Sequence, residues 1–217
     1  MLRILVADDH EIVRLGLRAL LEAHNDWQVC AEAVTGRDAI EKVSQLKADV
    51  VVMDISMPEM NGLDATREIL KFAPRTEVLI LTMHESEQVV REVLEAGARG
   101  YVLKTDAGRS LVAAVESLAQ HRPFFTSRVS EMVLTGYLRG RGRASEEDAS
   151  ERSRLTPRER QIVQLLAEGK SNKEIGTSLG ISVKTAEAHR SNIMRKLDLH
   201  SISDLVRYAI RNKIVNP

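Results

Sequence analysis

Two different spacings of apolar residues alternate along the first 120 residues. Short apolar runs occupy Arg3–Ala7, Asp49–Met53, Glu77–Thr82 and Gly100–Leu103, and a weaker run occupies Gln28–Ala33. Between these runs, apolar residues recur three and four positions apart, as they do on the buried side of a helix. Strands that alternate with helices predict right-handed crossovers and a parallel sheet that is covered on both faces. We therefore predict a doubly wound α/β domain of five strands and five helices over residues 1–120.

The alternation ends after Pro123, and a different organisation follows. Residues 127–138 have the apolar spacing of one more amphipathic helix, whereas Arg139–Arg154 contain almost nothing that could be buried. A segment of that composition does not form a core, which predicts a linker over residues 121–154.

The remaining residues, 155–217, have the pattern of a small all-α domain. Three pairs of residues predict capping boxes at helix starts: Thr156 with Glu159, Ser171 with Glu174, and Ser201 with Asp204. Gly169 and Gly180 stand where a helix end favours a left-handed residue. The four helices are predicted at about 157–168, 172–179, 183–197 and 202–213.

Charge separates the two predicted domains. The chain has 31 basic and 31 acidic residues and no net charge, yet residues 152–217 contain 13 Lys and Arg against 6 Asp and Glu. The net charge is therefore +7 for this segment and −7 for the rest of the chain. Opposite charges predict different partners, and the basic domain is the candidate for nucleic acid.

Cysteine content and hydropathy bear on the compartment. Cys30 is the only cysteine, so no disulfide can form within the chain. No apolar stretch approaches the roughly 20 residues that a membrane helix needs. We therefore expect a cytoplasmic protein with no membrane partner.

Charged and polar residues follow four of the predicted strands directly. Asp8 and Asp9 follow the first strand, Asp54 the third, Thr82 the fourth and Lys104 the fifth. Parallel strands bind ligands at their carboxyl ends. Carboxylates brought together there repel each other by about 4 kcal/mol for each pair at ~4 Å, and Mg²⁺ relieves that repulsion. A lysine and a hydroxyl can bind a phosphoryl group, which one carboxylate is left free to attack.

Each of these residues also has a simpler explanation. The two adjacent aspartates could cap the first helix, Asp54 could lie in a turn, and Lys104 could be a solvated strand end. Taken together, four strand ends with complementary chemistry favour a phosphoryl-transfer site.

Residues 1 to about 120 resemble the receiver domain of response regulators. The runs that carry the resemblance are Ile4-Leu5-Val6-Ala7-Asp8-Asp9-His10, Val52-Met53-Asp54-Ile55-Ser56-Met57-Pro58 with Asn61-Gly62, Leu81-Thr82, and Tyr101-Val102-Leu103-Lys104.

The receiver resemblance implies a fold and a set of roles. The expected strand order is 2-1-3-4-5. Asp54 would accept a phosphoryl group from a sensor histidine kinase, with Thr82 and Lys104 contacting that group. Thr82 and Tyr101 would form the switch pair. The expected Mg²⁺ ligands are Asp8, Asp9, Asp54 and the backbone carbonyl of Ser56.

An enzyme of the haloacid-dehalogenase class also forms an aspartyl phosphate on a similar sheet. Such a phosphatase needs a second aspartate, two residues after the nucleophile, as general acid. Ser56 occupies that position and cannot do this, so we do not expect an enzyme.

The third helix of the basic domain has the pattern of a DNA-reading helix. Its predicted buried stripe is Val183, Ala186, Ile193 and Leu197, and its predicted outward face is Lys184, Glu187, Ala188, Ser191 and Arg195. Small and polar side chains flanked by arginine and lysine suit the major groove. The alternative at this point is a solvated helix face.

Residues 155–202 resemble the LuxR-type helix-turn-helix. The runs that carry the resemblance are Leu155-Thr156-Pro157-Arg158-Glu159-Arg160, Gly169-Lys170-Ser171-Asn172-Lys173-Glu174-Ile175, Val183-Lys184-Thr185 and His189-Arg190-Ser191-Asn192-Ile193. A receiver joined to this module is typical of NarL/FixJ-class response regulators.

The second resemblance implies a phosphorylation-controlled regulator that binds double-stranded DNA and forms a homodimer on activation. The residues expected to face bases are Lys184, Glu187, Ala188 and Ser191. The residues expected at phosphates are Thr185, His189, Arg190, Asn192 and Lys196. A second hypothesis is that the two domains form a protein-interaction platform that works without phosphate.

Overall fold

The computed structural model describes residues 1–83, 85–127, 129–131, 155–212 and 214–215. The chain divides into two compact units, Met1–Gly142 and Arg143–Pro217, and each is described by itself. None of the described helices combines the length and apolar composition that crossing a bilayer requires.

The first unit has the predicted alternation of strands and helices. Its strands are β1 Leu2–Ala7, β2 Trp27–Ala33, β3 Val50–Asp54, β4 Glu77–Thr82, β5 Gly100–Leu103 and β6 Phe124–Phe125. Its helices before β6 are α1 Glu11–Glu22, α2 Gly36–Leu46, α3 Gly62–Phe72, α4 Glu87–Glu95 and α5 Ala107–Ala119, with a 3-10 turn at Lys104–Asp106.

The sheet has the order β2-β1-β3-β4-β5-β6, and all neighbouring strands are parallel. The predicted order 2-1-3-4-5 is confirmed. The sheet has one strand more than the five predicted, because Phe124 and Phe125 pair with Gly100 and Tyr101. A run of two residues is too short to show a repeating pattern, so the sequence alone did not indicate β6.

Helices cover both faces of this sheet, as predicted. Because side chains alternate along a strand, Leu5 and Val51 pack into one apolar cluster and Ile4 and Val52 into the other. The first cluster contains residues of α2, α3 and α4, and the second contains residues of α1 and α5. The carboxyl ends of the central strands therefore lie together at one edge of a sheet that is packed on both faces.

The first unit extends past α5 and β6 into the helix predicted at 127–138. Val129 is buried in the cluster that also contains Tyr101. Residues 127 and 129–131 are helical, and the rest of the helix predicted at 127–138 lies outside the described residues.

The described residues of the second unit, 155–212 and 214–215, form four helices, as predicted. They are α6 Pro157–Ala167, α7 Asn172–Leu179, α8 Val183–Lys196 and α9 Ile202–Arg211. Reciprocal capping boxes form at Thr156 with Glu159 and at Ser171 with Glu174. Gly169 and Gly180 have φ values of +82° and +64°, the left-handed conformation that the sequence predicts.

Two expectations from the sequence are wrong in this unit. The third predicted capping box, at Ser201 and Asp204, has the side-chain cap but not the reciprocal bond to the N-cap backbone. The hydroxyl of Ser201 accepts from the Asp204 backbone N–H and also donates to the Asp204 carboxylate, at 2.7 Å. Aspartate is one methylene shorter than the glutamate of the other two boxes. Val183 was expected in the core with Ala186, Ile193 and Leu197; those three are buried, but Val183 is 43% exposed. Val183 is the first residue of α8, so no preceding turn of the helix packs over it.

Candidate functional site

One lysine lies between two buried carboxylates at the carboxyl edge of the sheet. Asp8 follows β1, Asp54 ends β3 and Lys104 follows β5. The Lys104 Nζ lies 2.7 Å from Asp8 Oδ2 and 2.9 Å from Asp54 Oδ2. Asp8 is 1% exposed and Asp54 is 3% exposed. The structure therefore brings these three residues together, as the strand-end argument predicted.

The charged groups at this edge change each other's pKa values. Burial raises the pKa of Asp54 above its usual value; Lys104 opposes this rise, Asp8 adds to it, and a backbone hydrogen bond from Ser56 opposes it. Burial lowers the pKa of Lys104, but Asp54 and Asp8 outweigh burial and raise it overall. Lys104 is therefore a cation at physiological pH. It cannot neutralise two carboxylates, so a further cation suits this edge.

Asp9 lies beside this cluster with a histidine that sequence reasoning missed. The His10 Nδ1 is 2.8 Å from Asp9 Oδ1 and 3.3 Å from Asp8 Oδ1. The His10 backbone N–H also donates to Asp8 Oδ1, at 2.9 Å. Asp8, Asp9 and His10 each offer a ligand atom within 4.8 Å of the others, so the group could hold a metal ion. The signal in the sequence for this group was a histidine directly after two aspartates.

The loop after Asp54 passes close behind its backbone. The Gly62 N–H donates to the Ile55 carbonyl, at 2.9 Å. A Cβ atom at Gly62 would lie 1.9 Å from the Asp54 carbonyl oxygen, so only glycine fits there. The Asn61 side chain caps α3 at the Asp64 N–H. The Asn61-Gly62 pair therefore fixes the loop against the end of β3.

Thr82 and Tyr101 lie on neighbouring strands and are both fully buried. In the register of β4 and β5, Tyr101 pairs with Ile80, and Thr82 pairs with Leu103. Burial raises the pKa of Tyr101 to about 12, and Glu85 adds to the rise. The phenol is therefore neutral at physiological pH.

One side of α8, opposite its buried residues Ala186 and Ile193, is largely exposed to solvent. The exposed residues on it are Lys184, Thr185, Glu187, Ala188, Ser191, Asn192, Arg195 and Lys196. His189 and Arg190 are half-buried. The Ser182 hydroxyl caps the helix at the Thr185 N–H, at 3.0 Å. A basic helix with a polar outer face can lie in a groove of DNA.

Lys196 has a partner that sequence reasoning missed. Its Nζ lies 2.7 Å from Glu159 Oε2, and the same carboxylate accepts from the Thr156 N–H. Burial would raise the pKa of Glu159, but the hydrogen bonds from Lys196 and Thr156 outweigh it and lower the pKa. The end of α8 is thereby tied to the start of α6.

Two family models match the two units. Residues 4–116 match the response regulator receiver domain, and residues 153–209 match the bacterial regulatory proteins of the luxR family. The chain is a response regulator of the luxR family. It is thus a DNA-binding transcription regulator of the NarL/FixJ class, and not an enzyme.

Similar proteins match this regulator along its whole length. The transcriptional regulatory protein LiaR of Bacillus subtilis is 39% identical over 216 residues, with 100% of both chains covered. The oxygen regulatory protein NreC of Staphylococcus carnosus is 37% identical and covers 99% of this chain and 100% of its own.

A solved structure of RcsB from Salmonella enterica serovar Typhimurium is also similar to the regulator. That protein is bound to promoter rprA in the presence of a phosphomimetic. It has a TM-score of 0.61 and 27% identity, and the match covers 95% of this chain and 97% of that one.

Proposed function

We propose that Asp54 accepts a phosphoryl group from a sensor histidine kinase, and that this controls dimerisation and promoter binding. The observation that carries the proposal is the single Lys104 ammonium between two buried carboxylates. Such a site has a surplus of negative charge, a fixed cation for a phosphoryl oxygen and a carboxylate as nucleophile.

The transfer uses side chains of this regulator in distinct roles. An Asp54 carboxylate oxygen attacks the phosphorus of the kinase phosphohistidine. The phosphorus–nitrogen bond breaks, and its electron pair leaves with the imidazole. The Lys104 ammonium and the Thr82 hydroxyl bind oxygens of the transferred group.

The residues at this edge fit Mg²⁺ because they offer oxygen ligands and excess negative charge. Asp8, Asp9, Asp54 and the Ser56 backbone carbonyl would hold the ion. When bound, Mg²⁺ neutralises charge on the phosphoryl oxygens during transfer.

Phosphorylation would reach the DNA-binding unit through the switch pair. Thr82 would move toward the phosphoryl group, and Tyr101 would follow. A homodimer would then present two copies of α8 to double-stranded DNA. Bases would contact Lys184, Glu187, Ala188 and Ser191, whereas phosphates would contact Thr185, His189, Arg190, Asn192 and Lys196.

The proposal divides the chain into a receiver over 1–120, a linker over 121–154 and a DNA-binding domain over 155–217. The start of this linker, with β6 and Val129, packs on the receiver. The proposal also locates the protein in the cytoplasm, where the promoters and the kinase's phosphohistidine are accessible and Cys30 stays reduced.

The test is intact-mass measurement after treatment with acetyl phosphate and Mg²⁺. The wild-type protein should gain one phosphoryl group. Asp54→Asn should gain none, because the amide is isosteric but cannot attack phosphorus. Asp26→Asn, at an exposed position before β2, should be labelled like the wild type. Full labelling of Asp54→Asn would defeat the assignment.

A further inference from the structure

We call the carboxyl edge of the sheet with Asp8, Asp9 and Asp54 the acidic edge. Arg14 connects helix α1 to the backbone of that edge. Its Nη1 donates to the Asp8 carbonyl, at 2.9 Å, and its Nε lies 3.1 Å from Glu32 Oε2. The side chain is 13% exposed. Two donors of one rigid guanidinium therefore bridge a loop carbonyl and a carboxylate of β2.

The carbonyl that Arg14 contacts belongs to the peptide group that joins Asp8 to Asp9. A peptide group is planar, so rotating this carbonyl would also rotate the start of Asp9. On the other side of the residue, the Asp8 N–H donates to the Ala33 carbonyl, at 3.0 Å. The backbone at Asp8 is thus held at its N–H by β2 and at its carbonyl by Arg14.

The guanidinium of Arg14 is itself held by its surroundings. Glu32 Oε1 lies 2.9 Å from the Nε of Arg18, one turn further along α1. The Lys42 ammonium of α2 donates to the Glu32 carbonyl. Glu32 is therefore fixed from two helices, and it gives Arg14 a defined position.

We propose that Arg14 is a positioning residue that aims the carboxylates of Asp8 and Asp9 at Mg²⁺. This inference rests on the proposed function, because it assumes the metal site. Groups that orient metal ligands without touching the metal are worth about 10- to 100-fold in affinity. Arg14 has this relation to the Asp8–Asp9 pair.

Charge and position predict opposite effects when Arg14 is removed. By Coulomb's law, loss of a cation beside the carboxylates would tighten Mg²⁺ binding. Loss of the hydrogen bond to the Asp8 carbonyl would free the Asp8–Asp9 peptide and weaken Mg²⁺ binding. The direction of the change therefore separates the two effects.

The experiment is calorimetric titration of the full chain with MgCl₂. Arg14→Gln removes the contacts with both Asp8 and Glu32. Arg18→Gln is the matched control, because Arg18 pairs with the same Glu32. Arg14→Lys keeps the positive charge, but its single nitrogen does not reproduce the two donors, Nη1 and Nε, of the guanidinium. Phosphorylation by acetyl phosphate is then measured at limiting and at saturating Mg²⁺.

We expect Arg14→Gln to weaken Mg²⁺ affinity about tenfold, with Arg18→Gln close to the wild type. Arg14→Lys should also bind Mg²⁺ more weakly than the wild type, and this variant decides the question if Arg14→Gln does not fold. Phosphorylation of Arg14→Lys should be slow at limiting Mg²⁺ and recover at saturation.

Unchanged or tighter Mg²⁺ binding in a folded Arg14 variant would overturn the inference, as would an equal loss in Arg18→Gln. A wild-type protein that is phosphorylated on Asp54 but binds no Mg²⁺ would overturn it as well. Absence of phosphorylation in the wild type would instead contradict the proposed function.

Discussion

At the scale of single residues, Lys104 is the cation that contacts both buried carboxylates of the acidic edge. The convergence of Asp8, Asp54 and Lys104 was predictable, because it follows from strand ends in a parallel sheet. Contacts such as those of His10, Arg14 and Lys196 were not predictable. They depend on side-chain conformations and on which helix lies beside which loop, and a single sequence does not specify either.

Removing Lys104 should destabilise the first unit in a pH-dependent way. Burial raises the pKa of Asp54, so its ionised form destabilises the fold; this penalty vanishes as pH falls and grows as pH rises through the folded-state pKa. Lys104→Met should raise that pKa further. We expect a loss of about 3 kcal/mol in unfolding free energy at pH 7 and a smaller loss at pH 5. Urea unfolding at both pH values measures this, and equal losses would contradict it.

The pair of Glu159 and Lys196 makes a second residue-scale prediction. Glu159→Gln removes the ion pair and weakens the capping box, so the second unit should lose stability. It also releases Lys196 and removes a negative charge near the proposed phosphate contacts, so DNA binding should tighten. Glu168→Gln is the control, because Glu168 directly follows α6 and its carboxylate contacts Gln164 of that helix. Thermal unfolding and DNA titration test both effects, and weaker binding by Glu159→Gln would argue against Lys196 as a phosphate contact.

At the scale of elements, long and regular patterns were predictable and short ones were not. The five longer strands and the four C-terminal helices follow from apolar spacing and capping residues. Strand β6 has only two residues, and its place depends on the free edge of β5. The first residue of α8 was misassigned because helical spacing does not show where a core ends.

The segment after β6 should contribute to the stability of the first unit. Val129 is 1% exposed, whereas Val34 is 44% exposed. Val129→Ala should lower the unfolding free energy of that unit by about 2 kcal/mol, because it removes two buried methyl groups and leaves a cavity. Val34→Ala is the matched control and should cost little. Urea unfolding of the full chain compares them, and equal costs would mean that Val129 is not part of the core.

At the scale of the whole molecule, two units of opposite charge carry two kinds of chemistry. The acidic unit contains the buried carboxylates, and the basic unit contains α8. The division into two folds was predictable from composition and periodicity. The route that we propose between the two units runs through Thr82 and Tyr101, and the sequence pattern does not describe the conformations of these side chains.

Thr82→Ala should separate phosphorylation from response. The variant keeps Asp54 and Lys104 and should accept phosphate. It lacks the hydroxyl through which the phosphoryl group would draw Thr82 and Tyr101. A change from 1% to 99% active needs about 5.5 kcal/mol of differential stabilisation, so even partial loss of this contact should be visible. Light scattering should find less phosphate-dependent dimer than in the wild type or in Thr76→Ala, and a normal response would refute the coupling route.

The most direct test of the central claim is the DNA affinity of the full chain, with and without acetyl phosphate, across a salt series. The probe is a duplex selected from a random pool with the phosphorylated protein. Phosphorylation should tighten binding in the wild type and not in Asp54→Asn. Affinity should fall with salt with a log–log slope of about −0.9 for each phosphate contact, and Arg190→Ala should reduce that slope by about one. Salt-insensitive binding, or a wild-type response in Asp54→Asn, would contradict a phosphorylation-controlled DNA-binding regulator.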